Sequence, residues 1–339
     1  MKIAYLLASS GLSGGAKVVY QQAEGLARRG HRVTIVCLEP PPEWAGTSAA
    51  VHELGSFSSS EALAGADAVV ATFWTTLEPA ARAARGAAFH LCQGIESDTE
   101  FYAGERPAIE AAYRLVPKKL VVSPHLVGFL HERGFRDVEN VGQTFDASAF
   151  RVEARIFREG SPRVLLPGIF EIDAKGVAEA LEALSRLRER GASFRVVRLS
   201  AEPVSAAERK TKVVDEYHCG LSPLRVPALL ERTDLFLGPN HEVEGFGLPS
   251  LEALAAGLPA ALSDTSSHRE IAGESAVYFP PGDARAIAAA VERLLSEPET
   301  RRRLSAEGPA RASRYRTSDV VDRLEGIFAA AVRKRGAAR

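Results

Sequence analysis

The sequence predicts an α/β protein built from two domains, each with a doubly wound parallel sheet. Short apolar runs recur along the 339 residues and alternate with segments of helical periodicity. The runs are continuous rather than alternating in polarity, which is typical of strands covered on both faces. Repetition of strand, helix and strand then implies parallel sheets. The predicted strands cover residues 3–7, 33–38, 68–72, 87–91, 120–122, 164–166, 194–199, 235–237, 260–262 and 276–279.

The segments between these strands carry the period of amphipathic helices. In 175–190 one apolar stripe runs through Val177, Leu181, Leu184 and Leu187, which predicts a helix with one buried face. The glycine that follows this segment is a typical helix end. The helices predicted after the last strand cover 284–296, with Asp283 as N-cap, then 299–313 and 318–332.

The strand–helix rhythm restarts near residue 160, and this restart divides the chain. The stretch 146–162 breaks the alternation and carries mixed charge, as a linker would. We therefore expect two Rossmann-like domains, over 1–155 and 156–315, and a helix over 316–339 that packs back toward the first domain. Open α/β sheets bind ligands at the carboxyl ends of their strands, so the expected site is the cleft between the facing domains.

Composition and charge argue against several classes of function. The formal net charge is −1, so no excess of positive charge favours nucleic acid as a partner. Cys37, Cys92 and Cys219 lie far apart, which fits a reducing cytoplasm and indicates neither a disulfide framework nor a zinc site. The first apolar run is too short for a secretion signal, and no run reaches the roughly 20 residues of a spanning helix. We expect a cytoplasmic protein.

The segment 235–259, LFLGPNHEVEGFGLPSLEALAAGLP, combines a buried strand, a glycine-rich polar loop and a short helix. Pro249 suits the first helical turn, Glu252 is predicted within that turn, and Gly257 stops the helix. A helix start presents unpaired N–H groups and a positive dipole end, which favour diphosphate oxygens. Carboxylates suit sugars because they accept hydrogen bonds from two adjacent hydroxyls. The segment therefore predicts a site for a sugar diphosphate.

The stretch from Glu244 to Glu252, EGFGLPSLE, resembles the E-x7-E element of retaining glycosyltransferases of family four. Other landmarks of that family occur in the same order over most of the chain: Gly14-Gly15, the segments 121–125 and 141–150, Glu270, and 280–283. The resemblance implies a GT-B fold, with two Rossmann-like domains facing each other across a cleft. The first domain would lie on the acceptor side, and the second would bind the nucleotide-sugar donor.

The resemblance also implies a role for each matching residue. Glu252 would hold the ribose hydroxyls of the nucleotide, and Glu244 would face the transferred sugar and stabilise positive charge at its anomeric carbon. Lys175 matches the lysine that neutralises the diphosphate leaving group. The other implied donor-binding residues are Gly14, Gly15, Gly245, Phe246, Gly247 and Leu248, and the region 217–220 would lie near the base.

The implied reaction is sugar transfer from a nucleoside diphosphate sugar with retention of anomeric configuration. The donor would be of UDP, GDP or dTDP type, and the acceptor a carbohydrate, a lipid-linked group or a small molecule. We find no DxD motif or clustered carboxylates placed for a divalent ion, so neither a metal nor a cofactor is expected. Positioning and electrostatic stabilisation of the leaving diphosphate would then do the catalytic work.

One departure from the family's pattern concerns the diphosphate. Family members commonly have a Gly-Arg pair after the first strand of the second domain, and its arginine grips the phosphate. Here Gly168 is followed by Ile169, so this cation is missing. Arg198, near the end of the next predicted strand, is one candidate to supply it.

A second departure concerns the acceptor side. Many relatives have a histidine after the fourth strand, where this chain has Gln93, followed by Glu96. A Q-x-x-E element here resembles a bacterial subgroup that includes rhamnosyltransferases. We therefore take Gln93 and Glu96 as the candidate acceptor-side catalytic residues, with Glu96 or a donor phosphate oxygen accepting the hydroxyl proton. His90, within the strand, is expected in the core.

Structural interpretations compete with three of these roles. Glu252 also fits a helix-start carboxylate that complements the dipole, Gly14-Gly15 a plain strand–helix turn, and Lys175 a solvated charge. For the whole protein, the alternative is a GT-B-like protein that binds a nucleotide sugar with little or no transferase activity. Peripheral membrane contact is a further hypothesis, and a solvated surface competes with it. The hypothesis of membrane contact depends on a basic face formed by Arg106, Arg114, Lys118 and Lys119.

Overall fold

In the computed structural model the chain forms two compact units. One comprises Met1–Asp146 together with Tyr315–Arg339, and the other comprises Ala147–Arg314. The structure describes residues 1–53, 57, 63, 65–83, 87–150, 161–243 and 245–337. The units divide at residue 146 rather than at the predicted 155, and most of the predicted linker lies outside the described residues.

The first unit is built on a seven-stranded sheet of order β3-β2-β1-β4-β5-β6-β7, with every recorded pair parallel. The central strands are buried apolar runs because helices cover both faces. Their bounds are β1 Lys2–Leu7, β2 Arg32–Cys37, β3 Ala50–Glu53, β4 Ala68–Ala71, β5 Ala88–Cys92, β6 Lys119–Val121 and β7 Val138–Asn140. The helices among the described residues of this stretch are α1 Gly14–Arg28, α2 Trp74–Ala83, α3 Arg106–Leu115 and α4 Pro124–Glu132.

The second unit has a six-stranded sheet of order β10-β9-β8-β11-β12-β13, again parallel in every recorded pair. Its strands are β8 Arg163–Pro167, β9 Arg195–Ser200, β10 Glu216–Cys219, β11 Leu235–Gly238, β12 Ala260–Ser263 and β13 Val277–Phe279. Its helices are α5 Val177–Glu189, α6 Ala206–Lys210, α7 Val226–Glu231, α8 Leu248–Ala255, α9 Ser266–Ala272, α10 Ala284–Ser296 and α11 Pro298–Ala312. The predicted stripe of the 175–190 segment is fully buried in α5, and Asp283 caps α10 through its Oδ1.

The last helix, α12 Thr317–Ala337, belongs to the first unit. Phe328 packs edge-on against Phe89 of β5, with ring centroids 4.9 Å apart. Arg29, just after α1, forms ion pairs with Asp322 and Glu325 of this helix. The chain therefore returns to its first unit at its end.

All ten predicted strands are present, and the described residues form three further strands that were not predicted. The three are β3, β7 and β10, which all lie at an edge of their sheet. Their sequences, AVHE, VEN and EYHC, contain no continuous apolar run, and every residue in them is at least partly exposed.

Each sheet has one point where the strand order reverses. In the first unit the reversal lies between β1 and β4, and in the second between β8 and β11. Connections on the two sides of such a point diverge and leave a crevice at the carboxyl ends of the strands, where α/β proteins bind ligands. Gly14 and Gly15 follow β1, Lys175 follows β8, and Glu252 follows β11. The predicted donor residues thus lie in the connections that follow β1, β8 and β11.

Candidate functional site

In the second unit, the loops that follow β8 and β11 pack directly against each other. The main-chain N–H of His241 donates to the carbonyl of Ala174 at 2.8 Å. Gly176 has φ +61°, and a Cβ there would lie 2.2 Å from the carbonyl oxygen of Pro239. Only glycine permits this approach, so the turn that carries Lys175 is fixed against the loop that precedes α8. Lys175 itself is half-buried.

Replacing Gly176 with alanine is expected to lower the free energy of unfolding by more than about 2 kcal/mol. The left-handed φ costs about 1 kcal/mol or more, and the overlap with a rigid carbonyl adds to it. Gly191→Ala is the matched control, because Gly191 has φ +89° but nothing within 4 Å of its Cβ position. Denaturant unfolding of both variants isolates the contact. Equal losses in the two variants would contradict the close approach.

Helix α8 starts one residue after Gly247, whose φ of +91° makes it a left-handed N-cap. Residues 245–248 are buried. Pro249 lies in the first turn as predicted, but Glu252 is the fifth residue of the helix and lies in its second turn. The prediction of a first-turn glutamate is therefore wrong. Glu252 is only 8% exposed, and so it is no solvated helix-end charge.

Glu244 lies outside the described residues. Its role beside the transferred sugar stays a prediction.

A buried Ser–His–Ser network supports the start of α8. His268 is completely buried, with Ser250 Oγ 3.0 Å from its Nε2 and Ser263 Oγ 3.0 Å from its Nδ1. Ser263 Oγ donates to the carbonyl of Asn240, so it accepts from His268 Nδ1–H, and His268 Nε2 accepts from Ser250. The network ties the loop after β11 to the first turn of α8 and to α9.

Arg198 does not replace the missing phosphate arginine. Its side chain is completely buried, and its guanidinium donates to Glu208 and to the carbonyls of Leu166 and Gly168. The guanidinium is therefore enclosed by protein groups and is not accessible to a ligand. The hypothesis that Arg198 contacts the diphosphate is therefore wrong, and Ile169 occupies the position without a cation.

In the first unit, the structure brings Gln93 to the start of α1. Gln93 Nε2 donates to the carbonyl of Gly15 at 3.3 Å, and a Cβ on Gly15 would lie 3.2 Å from that nitrogen. Ser13 caps the helix, its Oγ accepting from the N–H of Ala16. Gly14 is exposed and begins α1. Two predicted donor glycines and one predicted acceptor-side residue are thus neighbours.

Glu96 follows β5 and turns its carboxylate inward, although the residue keeps some exposed surface. Tyr113 of α3 donates to Glu96 Oε2. Burial raises the pKa of the Glu96 carboxyl to about 7, while the hydrogen bond from Tyr113 and the charge of Lys119 oppose the rise. The carboxyl is consequently poised to exchange a proton near neutral pH.

Lys119 is near enough to Glu96 for the two charges to interact, and it is completely buried. Its Nζ donates to the carbonyls of Tyr113 and Val116, at 2.7 and 2.8 Å, and lies 3.1 Å from His90 Nδ1. Burial lowers the pKa of Lys119 to about 8 and holds that of His90 well below its usual value. His90 is therefore a neutral core residue, as predicted.

The four basic residues predicted to form one exposed face do not form a continuous surface, so that prediction is wrong. Lys119 points into the core, Lys118 forms an ion pair with Glu139, and Arg106 donates to the carbonyl of Ser97. None of the helices in the described parts of the chain is long and apolar enough to cross a membrane. Among the same residues, no three His, Cys, Asp or Glu side chains gather into a potential metal site.

Sequence reasoning missed Tyr113, His268 and Glu208. Tyr113 follows Ile109 at helical spacing, and a buried tyrosine hydroxyl requires a partner, which is a weak signal for its contact with Glu96. Arg198 interrupts a predicted core strand, which implies a buried acid such as Glu208 but does not say which one. Nothing in the sequence identifies His268 as a support of α8.

A family model matches most of the second unit. Residues 153–311, just under half of the chain, match the model described as Glycosyl transferases group 1. This stretch includes both loops described above and the whole of α8.

Two curated proteins share part of the sequence. The chain is 34% identical over 174 residues to an MMP alpha-(1->4)-mannosyltransferase from Mycolicibacterium hassiacum, covering 48% of this chain and 42% of that protein. It is 33% identical over 195 residues to a glycogen synthase from Mycobacterium tuberculosis, covering 55% of this chain and 45% of that protein. The matches therefore span less than half the length of these relatives.

Solved structures match over nearly the whole chain. A glycosyltransferase from Rickettsia africae aligns with a TM-score of 0.77 and 14% identity over 98% of both chains. Anabaena HepE, solved in complex with UDP and glucose, aligns with a TM-score of 0.78 and 15% identity over 97% of this chain and 100% of that one. At this identity the likeness shows the fold, and it confirms the predicted α/β class with two parallel-sheet domains of GT-B type.

Proposed function

We propose that this chain is a retaining glycosyltransferase that moves a sugar from a nucleoside diphosphate sugar to an acceptor hydroxyl. The observation that carries the proposal is the packing of the Lys175 turn against the loop that leads into α8. The 2.8 Å bond between His241 and Ala174, with the glycine-only contact of Gly176, puts a lysine and a helix start beside one strand-order reversal. A cation and helix-terminal amides are what a departing diphosphate requires.

The donor chemistry follows from the groups after β8 and β11. Lys175 neutralises the diphosphate, and Glu252 accepts hydrogen bonds from the ribose hydroxyls. The backbone of residues 245–248 lines the sugar and phosphate, and no metal ion takes part. The similarity to a mannosyltransferase, to a glycogen synthase and to a structure that holds UDP and glucose supports a nucleoside diphosphate hexose or deoxyhexose as donor.

The acceptor chemistry involves Gln93 and Glu96. Gln93 touches the glycine start of α1, so its amide is fixed beside Gly15. Glu96 accepts the proton of the attacking hydroxyl, since its carboxylate is held by Tyr113 and titrates near neutrality. Gln93 and Glu96 of this Q-x-x-E element thus act on the acceptor or the transferred sugar.

The rate is expected to rise with pH through about 7, because Glu96 acts as a base only when ionised. The hydrogen bond from Tyr113 favours the ionised form, so Tyr113→Phe is expected to move this rise to higher pH. The other titratable groups near Glu96 are Lys119, Cys92 and Tyr102. Measuring kcat/KM between about pH 5.5 and 8.5 checks the prediction. Tyr102→Phe is the matched control and is expected to leave the midpoint unchanged; a flat profile in the unsubstituted protein would refute the role of Glu96.

The proposed donor class is tested by a panel of nucleotide sugars. A ligand that binds only the folded protein raises its melting temperature by mass action. We expect one nucleotide family to raise it and the others to have little effect, and the stabilising donor to be consumed when acceptors are added. No stabilisation by any UDP, GDP or dTDP sugar would count against the proposal.

The alternative is a protein of the same fold that binds a nucleotide sugar without transferring it. The observation in its favour is the absence of an arginine at Ile169, which Arg198 does not replace because it is buried. Tight donor binding with neither hydrolysis nor transfer, for all acceptors tried, would favour this alternative.

A further inference from the structure

The second unit contains a completely buried ion pair that the proposed chemistry does not use. The side chain of Arg198, in β9, is 0% exposed and that of Glu208, in α6, is 1% exposed. Burying two charges is costly unless their hydrogen-bonding groups are satisfied. We therefore expect the pair to position the backbone groups that it contacts.

The guanidinium of Arg198 spans the carboxyl end of β8. Its Nη1 donates to the carbonyl of Leu166, its Nη2 to that of Gly168 at 2.7 Å, and its Nε to Glu208 Oε1 at 2.6 Å. Leu166 belongs to β8, and Gly168 is the first residue after that strand. A planar, pre-organised fork of this kind fixes two carbonyls that lie two residues apart in the chain, which a flexible ammonium group cannot do.

Gly168 in turn supports Lys175. It has φ +122°, and a Cβ there would lie 3.1 Å from both the Cβ of Lys175 and Cγ2 of Val177. Its N–H donates to the carbonyl of Leu199 at 2.9 Å. Arg198 thus holds the carbonyl of Gly168 by a hydrogen bond. The Cβ of Lys175 packs against the backbone of the same glycine.

The same guanidinium also contacts the edge of the sheet. Its carbon lies 5.8 Å from the ring centroid of Tyr217 in β10, and the Tyr217 hydroxyl donates to the carbonyl of Glu202 at 2.9 Å. Residues 217–220 are those expected near the base. Arg198 therefore joins the strand expected at the nucleoside end of the donor to the loop expected at its diphosphate end.

We propose that Arg198 is a positioning residue which, paired with Glu208, fixes residues 168–176 in the geometry that binds a diphosphate. It acts through Gly168 and Lys175 and does not touch the ligand. The resembled family has an arginine where this chain has Ile169. Arg198 compensates for its absence by pre-organising the loop that carries Lys175, and not by placing a second cation on the diphosphate. The inference rests on the proposed function for its ligand, but its structural part stands apart from it.

Amide hydrogen exchange tests the structural part without any ligand. In Arg198→Met, the amides of residues 168–176 are expected to exchange about tenfold faster or more, because local opening becomes easier. Unchanged protection of this segment would overturn the inference.

Arg188→Met is the matched control, because Arg188, in α5, contacts the residue that precedes β9 and not the carboxyl end of β8. Arg188 likewise pairs with a carboxylate, Asp215, and donates to two carbonyls, those of Val213 and Phe194. Its removal is expected to leave the exchange of 168–176 unaltered. Should Arg198→Met fail to fold, Arg198→Lys keeps the charge but not the fork, and the same acceleration is expected in it.

A double-mutant cycle with Lys175 tests the functional part. Using the nucleoside diphosphate that stabilises the protein, Arg198→Met is expected to raise Kd about tenfold in the natural sequence, but less than about twofold in a Lys175→Met background. Equal effects in both backgrounds would mean that Arg198 does not act through Lys175. If no nucleoside diphosphate binds even the unsubstituted protein, the proposed function fails, and the exchange experiment still decides whether Arg198 fixes the loop.

Discussion

Replacing Glu252 with glutamine is expected to weaken binding of the donor nucleotide about 10- to 100-fold with little change in the melting temperature. Glutamine keeps the size of this buried side chain, which is 8% exposed, but loses the charge. A hydrogen bond to a charged group contributes about 1.5–3 kcal/mol, and each 1.4 kcal/mol corresponds to about a tenfold change in affinity. Isothermal titration with the nucleoside diphosphate measures the change.

The matched control for Glu252 is Asp234, which directly precedes β11, whereas Glu252 lies in the helix that follows this strand. Asp234 is 7% exposed and its Oδ2 accepts from the N–H of Arg163 at 2.8 Å, just before β11 begins. Asp234→Asn therefore removes an equally buried carboxylate far from the loop before α8, and is expected to leave Kd unchanged. Natural affinity in Glu252→Gln would make Glu252 a structural carboxylate and remove it from the donor site.

Replacing Lys175 with methionine is expected to lower turnover about 100- to 1,000-fold. Removing a fixed hydrogen-bond donor or cation that stabilises charge developing in the transition state typically lowers the rate by about this factor. Lys175 is the cation proposed to balance the charge of the leaving diphosphate. Its turn is locked by Gly176 and by the bond from His241 to Ala174, so neighbouring groups cannot easily move in to compensate. Steady-state rates with the stabilising donor measure the effect.

Lys210→Met serves as the control, since Lys210 is an exposed cation on α6 in the same unit. Its turnover is expected to stay within about twofold of that of the natural sequence, as is usual for surface substitutions. A similarly small effect for Lys175→Met would contradict the proposed charge balance and would favour a protein that only binds its nucleotide sugar.

The sheets could be predicted from the sequence because their central strands are buried on both faces. Runs such as Ile3–Leu7 and Leu235–Leu237 are apolar at every position, and both form strands. The edge strands β3, β7 and β10 escaped prediction, since residues like Glu139 and His218 face solvent at least in part. Hydrophobic patterning reports burial, and at an edge burial is incomplete.

The candidate site was predicted only as a set of residues. Glycine and proline spacing placed the loop and helix around Gly247 and Pro249 correctly, because those residue types constrain the backbone. It could not show that Gly176 touches Pro239, that His268 supports α8, or that Arg198 is buried. These are contacts between segments distant in sequence, and they depend on how the strands are ordered.

The anomeric configuration of the first sugar released tests the central claim most directly. Proton NMR of the protein with its stabilising nucleotide sugar needs no known acceptor, because water can take the place of the acceptor hydroxyl. We expect free nucleoside diphosphate and a newly formed sugar with the donor's anomeric configuration, before mutarotation equilibrates it. A sugar of the opposite configuration would contradict retention, and the absence of both hydrolysis and transfer, for every acceptor tried, would contradict the transferase itself.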